Sequence, residues 1–567
     1  MPGSSEFSNS RSHLKRKHVT DVYSSSSSRT ETRSSPQGDP RIPRTGTSSV
    51  TLMHNACDEQ RSNKSRKKNI DLDLLDFCMG GLHPFSIVEE RGFKKLCRWI
   101  PGYELPTQSE FDSIMQEEYS NLHEKVVSQL SKVKNICLTA GMWTPLKTES
   151  YLALTGHYFN EELDMKTVLL GCCQLSDTSS TNIAEAIWKL VDKYDLKSKV
   201  NFMITNDALK AVREELGWKH FGCCADSLNS IVEDALENVK PQIEEVKQVV
   251  SYVKNSTSCC KMLEEYQIQH GQSPKPLIQA LDTSWNSTFL MLKRFIELED
   301  AVKSTLASVV RDAFKIKEEE WTLYKELCRI LSPFDEITTS LMSDENYGTG
   351  SCIIAMTCCL SEECQRLLAK TGLSKKSRKT AQLLESGLKE RFKAIEKSGT
   401  LSINTFLDPR FKTHGFSNQI EAMRTKERIR KMIVEMIAKA ELITIPDNDE
   451  DDSSPWKTID REICQGTPMS MALEEVDKFL SDKMLPREDA SGNSTSPQEW
   501  WRLHKDRYPN LKKIYETKCN IVATSVLCEQ IISETRLRLK SNRLTSSELE
   551  QIMFLVVNSP EKRFAGF

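Results

Sequence analysis

Apolar residues in this chain follow different periods in different places, and the changes divide it into parts. From residue 1 to about 68 there is almost no apolar periodicity, and Ser, Arg and Lys dominate, including the run Ser24 to Ser28. Such a stretch cannot bury enough apolar surface to offset the entropy of ordering it, so it is expected to be disordered. Leu72, Leu74, Leu75, Phe77 and Cys78 then fit an amphipathic helix that opens a small helical unit. From about 132 the pattern turns β-prone. Val133 to Leu138, Tyr151 to Tyr158 and Thr167 to Cys172 are short apolar runs with turn-length connections, which predicts an antiparallel meander. Ile183, Ala184, Ile187, Leu190 and Val191 share one face of a predicted helix, and Val200 to Thr205 is a further short strand.

Beyond about residue 228 the period becomes helical and stays so to about 520. Leu236, Val239, Ile243, Val246, Val250 and Val253 recur at three- and four-residue intervals. The acidic run Asp447 to Asp452 interrupts this stretch as an expected solvated loop. The polar, Gly- and Pro-containing stretch 487–497 is expected to be a second linker. Pattern alone thus predicts an α/β part followed by an all-α part.

A chain of 567 residues exceeds one ordinary core, so two or three domains are expected. With 28% charged residues and mean hydropathy of -0.46 it reads as soluble and globular with polar tails. No apolar run approaches the roughly 20 residues of a membrane span, and the N-terminus lacks a signal-peptide core. The 18 cysteines are diluted over the chain, with adjacent pairs such as Cys172-Cys173 and Cys223-Cys224, which suits reduced thiols in an intracellular compartment. Net charge is only -3, but residues 1–68 carry 13 Lys and Arg against 6 Asp and Glu. That is +7 for the tail, leaving -10 for the remainder, so phosphate affinity in the core must come from local patches.

Two basic clusters lie in the tail: Lys15, Arg16 and Lys17, then Lys64, Arg66, Lys67 and Lys68. Each suits a nuclear-import signal or a phosphate-contacting arm, against the plainer reading of a solubilising tail. His13 and His18, with four residues between them, match only the second half of a Cys2His2 zinc site. The first cysteine is Cys57, so no upstream pair completes the tetrahedron and no Zn²⁺ is expected.

Five stretches carry more specific information. They are Ile-Cys-Leu-Thr-Ala-Gly-Met-Trp-Thr-Pro at 136–145, Ile204 to Ala208, Trp285 to Thr288, Leu407 to Lys412, and the tail from Trp500 to Leu555. In this order they resemble a transposase of the hAT superfamily, over residues 70 to 560, and His13 to His18 resembles the closing helix of a truncated BED finger. The resemblance implies an RNase-H-like domain begun by residues 131–232, interrupted by a long helical insertion over 233–497. A dimerisation region over 498–560 completes it, behind the disordered tail 1–68 and a helical entry domain over 69–130.

Transposases of this shape hold two divalent metals about 3.5–4 Å apart between three carboxylates, as hard Mg²⁺ ions require. The resemblance places the first carboxylate at position 141, where this chain has Gly141. The second slot reads Asn206-Asp207, transposed relative to the family, and a one-residue shift in a strand sends a side chain to the opposite face. The third, Glu529, is retained. One ligand kept, one displaced and one missing imply relic positions and no metal cofactor. The resemblance also implies that Trp285 stacks on a flipped base, against the plainer reading of a core tryptophan packing the inserted helices. Trp500, Trp501, Tyr508, Phe554 and Leu555 are implied dimer contacts, although large apolar side chains also fill ordinary cores. Asp408-Pro409-Arg410 is expected to fix a loop between inserted helices.

The expected protein is a domesticated, non-cutting, nuclear, dimeric DNA- or chromatin-binding protein with a regulatory role in transcription. The alternative is an active, Mg²⁺-dependent transposase, or a decaying transposon copy.

Overall fold

A computed structural model describes residues 49–559 except 82, 147–148, 282–284, 310–315, 343–347, 444–466, 526–527, 529, 532 and 534–544. The basic cluster Lys15, Arg16 and Lys17, the pair His13 and His18, and the acidic run 447–452 therefore lie outside the described residues, as does Glu529. The chain divides into two compact units, residues 1–64 and 65–567.

The first described element is helix α1, Ser49–Gly80. Residues 49–68, expected to be disordered, are helical here. The stretch contains neither Gly nor Pro and has good helix formers at Leu52, Met53, Ala56, Glu59, Gln60 and Arg61, so it extends the amphipathic turns that follow. Lys64, Arg66, Lys67 and Lys68 are exposed on it, and Lys68 meets Glu117 at 3.2 Å. Two further helices complete the entry unit: α2, Arg91–Cys97, and α3, Gln108–Ser131, which opens on a Thr107/Glu110 capping box. Leu74, Leu75, Phe85, Phe111 and Met115 pack there with Ile552 and Leu555 from the far end of the chain.

The meander is present, with longer strands than the sequence suggested: β1 Ile136–Leu146, β2 Glu149–Phe159 and β3 Met165–Leu175. Helix α4, Ser180–Lys193, then leads to β4, Val200–Thr205. After a single turn, α5, Arg213–Leu216, comes the edge strand β5, His220–Gly222, too short to show a period in sequence. Strand order is β3-β2-β1-β4-β5, antiparallel between β1, β2 and β3 and parallel between β1, β4 and β5. Ile136, Leu138, Ala140, Leu152 and Leu154 face the core under α4. Gly171 on β3 permits that contact, because a Cβ there would lie 2.5 Å from a Leu190 methyl.

From Cys224 to Lys518 the described structure is helical: α6 Cys224–Leu236, α7 Lys240–Asn255, α8 Thr257–Gln269, α9 Trp285–Glu297 and α10 Glu299–Val309. Then follow α11 Glu318–Met342, α12 Cys352–Ala369, α13 Lys375–Arg391, α14 Leu401–Leu407 and α15 Gln419–Ile443. The series ends with α16 Pro468–Ser481, α17 Pro497–Leu503 and α18 Pro509–Lys518. This is the RNase-H-like sheet interrupted by a helical insertion that the sequence led us to expect. Within the expected linker 487–497, a Glu488–Ser494 bridge closes a turn whose Asp489 carboxylate accepts the Ser491 and Asn493 amides. The last helix, α19, Ser546–Asn558, returns to the sheet. There the Asn558 side-chain amide accepts from Leu169 N at 2.8 Å and donates to Leu169 O at 3.0 Å, substituting for a neighbouring strand on the outer edge of β3.

The segment Asp408 to Lys412 fixes the insertion from inside. Arg410 and Asp408 form a buried ion pair with an Nη2–Oδ2 distance of 2.7 Å, and Ser351 Oγ donates to the same carboxylate at 2.6 Å. The buried Lys412 ammonium donates to Phe479 O and Asp482 O, both at 2.6 Å, at the end of α16, and burial lowers its pKa. Removing one member of a buried pair strands its partner's charge. Arg410→Met is therefore expected to lower stability in denaturant unfolding by about 3–5 kcal/mol; a change within experimental error would remove the clasp from this account.

Candidate functional site

The two faces of β1 carry different chemistry. Even positions enter the apolar core under α4, whereas Thr139 and Gly141 lie on the other face with Ala153, Thr155 and His157 of β2. That face is covered by the C-terminal stretch. Ile531 packs with Tyr151, Ala153, Leu169 and Cys172, and α19 adds Leu549 and Met553. The Cys528 thiol reaches Thr139 Oγ1 at 3.3 Å and Thr139 O at 3.4 Å.

A buried polar chain runs through this junction. Thr139 Oγ1 and Thr155 Oγ1 share a short hydrogen bond, and His157 Nε2 lies 3.1 Å and 3.2 Å from these two hydroxyls. His157 Nδ1 meets Thr167 Oγ1 on β3 at 3.0 Å. Burial lowers the His157 pKa to about 3, so the ring is neutral, one nitrogen donating and the other accepting. Asn520 extends the junction by donating to His157 O at 3.1 Å and Asn135 O at 3.3 Å. None of these residues is assigned a role from sequence: Thr139 falls one residue beyond the predicted run Val133 to Leu138, and Thr155 and His157 sit at alternate positions of the run Tyr151 to Tyr158.

The relic positions converge only in part within what the structure describes. Gly141 is buried within β1 opposite Ala153, not at the strand's end. Ala140 pairs with Thr205, and Asn206 N donates to Ala140 O at 3.4 Å, so β4 ends beside Gly141 and Asp207 follows immediately in a short 3-10 turn. The Asp207 side chain lies outside the described residues, as does Glu529, but Cys528, which precedes Glu529, lies against Thr139. The start of α6 closes the far side, where Cys223 N donates to Thr205 O, Cys224 N to Ala523 O, and Ser525 N to Cys223 Sγ. Asn206 Oδ1 and Ser525 Oγ are buried without a hydrogen-bond partner among the described residues. Nearby side chains thus offer amide and hydroxyl oxygens where hard metal ions favour carboxylates, and Gly141 offers none. Of the three positions that the resemblance assigns to metal ligands, the one on β1 supplies no side-chain oxygen.

Residues with two other implied roles, base stacking and dimer contact, are placed in the core. Trp285, the candidate base-stacking residue, is 2% exposed in the core beside Phe289, on the inner face of α9. Its ring is not open to a base, because α9 buries Phe289, Leu292 and Phe295 on the same side. Trp500, Trp501 and Tyr508 are likewise buried, packed around Phe479, and Trp501 Nε1 donates to Leu407 O at 3.0 Å. Phe554 packs on Tyr119 and His123 of α3, and Leu555 fills the entry core. All five residues implied as dimer contacts are buried within this single chain. Leu503, 76% exposed on α17, is a large apolar side chain that this region leaves outside.

Comparison with known proteins accounts for this arrangement. Residues 139–220 match the ZBED1 RNase-like domain, 221–330 the ZBED1 RNase-like helical domain, and 475–558 the hAT family C-terminal dimerisation region. The chain is 23% identical to human zinc finger BED domain-containing protein 4 over 97% of its own length. It is 22% identical to the putative AC transposase of Zea mays over 80%, and 24% to the zinc finger BED domain-containing protein DAYSLEEPER of Arabidopsis thaliana over 76%. It spans 48%, 60% and 65% of those three proteins. The fold is that of a transposase-type RNase-H-like domain split by helices. Three family models thus match in chain order, and the chain is similar to hAT-type proteins of the zinc finger BED class.

Between pH 6.5 and about 3 an unfolded His157 binds a proton that the folded one refuses. Its contribution to stability is therefore complete above pH 6.5 and is lost as pH falls toward 3. His157→Gln is expected to flatten the pH dependence of unfolding across that window; an unchanged slope would place the ring in contact with solvent.

Proposed function

We propose that this chain is a nuclear, DNA-binding, self-associating protein derived from a hAT transposase that no longer cuts DNA and instead acts on chromatin to regulate transcription. Gly141 carries the reading. A two-metal hydrolase activates its nucleophile and stabilises its leaving oxygen through bound cations, and the loss of a carboxylate removes charge stabilisation of several kcal/mol. Asp207 and Glu529 then stand as relics of a centre whose first strand contributes nothing, and no metal cofactor is assigned to the chain.

Self-association is supported by the match to the hAT dimerisation region. DNA binding is supported by relatives named for zinc finger BED domains and by the exposed cations Lys64, Arg66, Lys67 and Lys68. Lys15, Arg16 and Lys17 would add to that arm or serve nuclear import. Trp285 has no part in it in this conformation.

Purified protein is expected to leave supercoiled plasmid intact in Mg²⁺ or Mn²⁺ at every concentration tried. Nicking that disappears in a Glu529→Gln variant would overturn the proposal.

A further inference from the structure

Between Glu363 and Glu385 the chain holds six cations and no acid: Arg366, Lys370, Lys375, Lys376, Arg378 and Lys379. Two of them serve the fold. Arg366 pairs with Glu363, and the Arg378 guanidinium donates to Leu368 O at 2.8 Å and Lys370 O at 3.0 Å, satisfying carbonyls at the end of α12. Lys370, Lys375, Lys376 and Lys379 are exposed, and none has an ion-pair partner among the described residues.

Local energetics oppose this arrangement. Lys375 and Lys376 occupy the first turn of α13, where the helix macrodipole favours anions. Lys379 lies one turn beyond Lys375, at the spacing where like charges repel. The buried carboxylate nearest the start of α13, that of Glu326, is occupied by Ser374 N and Ser374 Oγ, the latter at 2.6 Å. The backbone beneath the lysines is fixed, because Asn238 Nδ2 donates to Lys376 O at 3.1 Å and to Thr380 Oγ1 at 3.2 Å. Ser377, Thr380, Ala381 and Leu384 bury the opposite face. A charge pattern that costs helix stability, makes no internal contact and sits on a rigid support indicates an external anion.

We propose that the α12–α13 turn, with Lys370, Lys375, Lys376 and Lys379, is a contact surface for the phosphate backbone of duplex DNA, separate from the N-terminal basic arm. The proposal rests on the DNA-binding reading above and supplies a local basic patch in a core whose formal charge outside residues 1–68 is -10, from -3 for the chain less +7 for the tail. Lysines are suited to this role because an ammonium meets phosphate as a point charge without reading sequence.

The test is the salt dependence of full-length protein binding to a generic duplex. Wild type is compared with a Lys375→Gln/Lys376→Gln/Lys379→Gln variant and with a control changed at the exposed Lys132, Lys254 and Lys261. Each B-DNA phosphate neutralised contributes about 0.9 to the slope of log affinity against log salt. The α13 variant is therefore expected to flatten that slope by about 2–3, with a melting temperature equal to or above that of wild type, while the control keeps the wild-type slope. A wild-type slope in the α13 variant would overturn this surface and leave DNA binding intact. Absence of duplex binding by wild type would overturn both, and a lowered melting temperature would assign the lysines to the fold.

Discussion

The contact of Asn520, Cys528 and Ile531 with one face of β1 and β2 joins parts of the chain that lie far apart in sequence. Thr139 and Cys528 are 389 positions apart in sequence, and the side chains between them in space are hydroxyls, an imidazole and a thiol, all buried. Burying polar groups is unfavourable unless each finds a partner, so this junction specifies one register and one docking position more sharply than an apolar contact would. Both the sheet and the insertion depend on it. Residues 521–523 hydrogen-bond to 348–350 at the start of α12 and accept from α6, so the chain leaves the sheet, builds the helices and is returned to the strand it began from.

The same junction determines what the site offers chemically. It brings the end of β4, the middle of β1 and the residue before Glu529 to one place, which is the arrangement a three-carboxylate centre needs. The β1 position in this arrangement is glycine. The polar chain through Thr139, Thr155 and His157 lies next to Gly141 and is complete without a ligand at that position. The buried Asp408–Arg410 pair plays a comparable part in the insertion. Both networks are internal, so neither requires substrate to stay in place.

Much of this was legible in the sequence because period and family-like motifs agreed. The meander, α4, β4 and the long helical stretch follow from apolar spacing, and the missing oxygen at Gly141 follows from one residue in a recognisable run. What was not legible depended on which side of an element faced inward. Trp285, Trp500, Trp501 and Tyr508 read equally well as contact or core residues, and only packing around Phe289 and Phe479 shows them to be core. The helical start at Ser49 was missed because a polar, charged helix has no apolar stripe to reveal it. The lysines of α13 were passed over because a solvated basic face is ordinary in sequence and becomes informative only at the start of a helix.

Metal affinity tests the central claim most directly. Titration of the full chain with Mn²⁺, followed by electron paramagnetic resonance, should show only weak, independent ions. A tightly bound, spin-coupled pair that is lost on Asp207→Asn would contradict it, because such a pair needs an acidic seat beside Gly141.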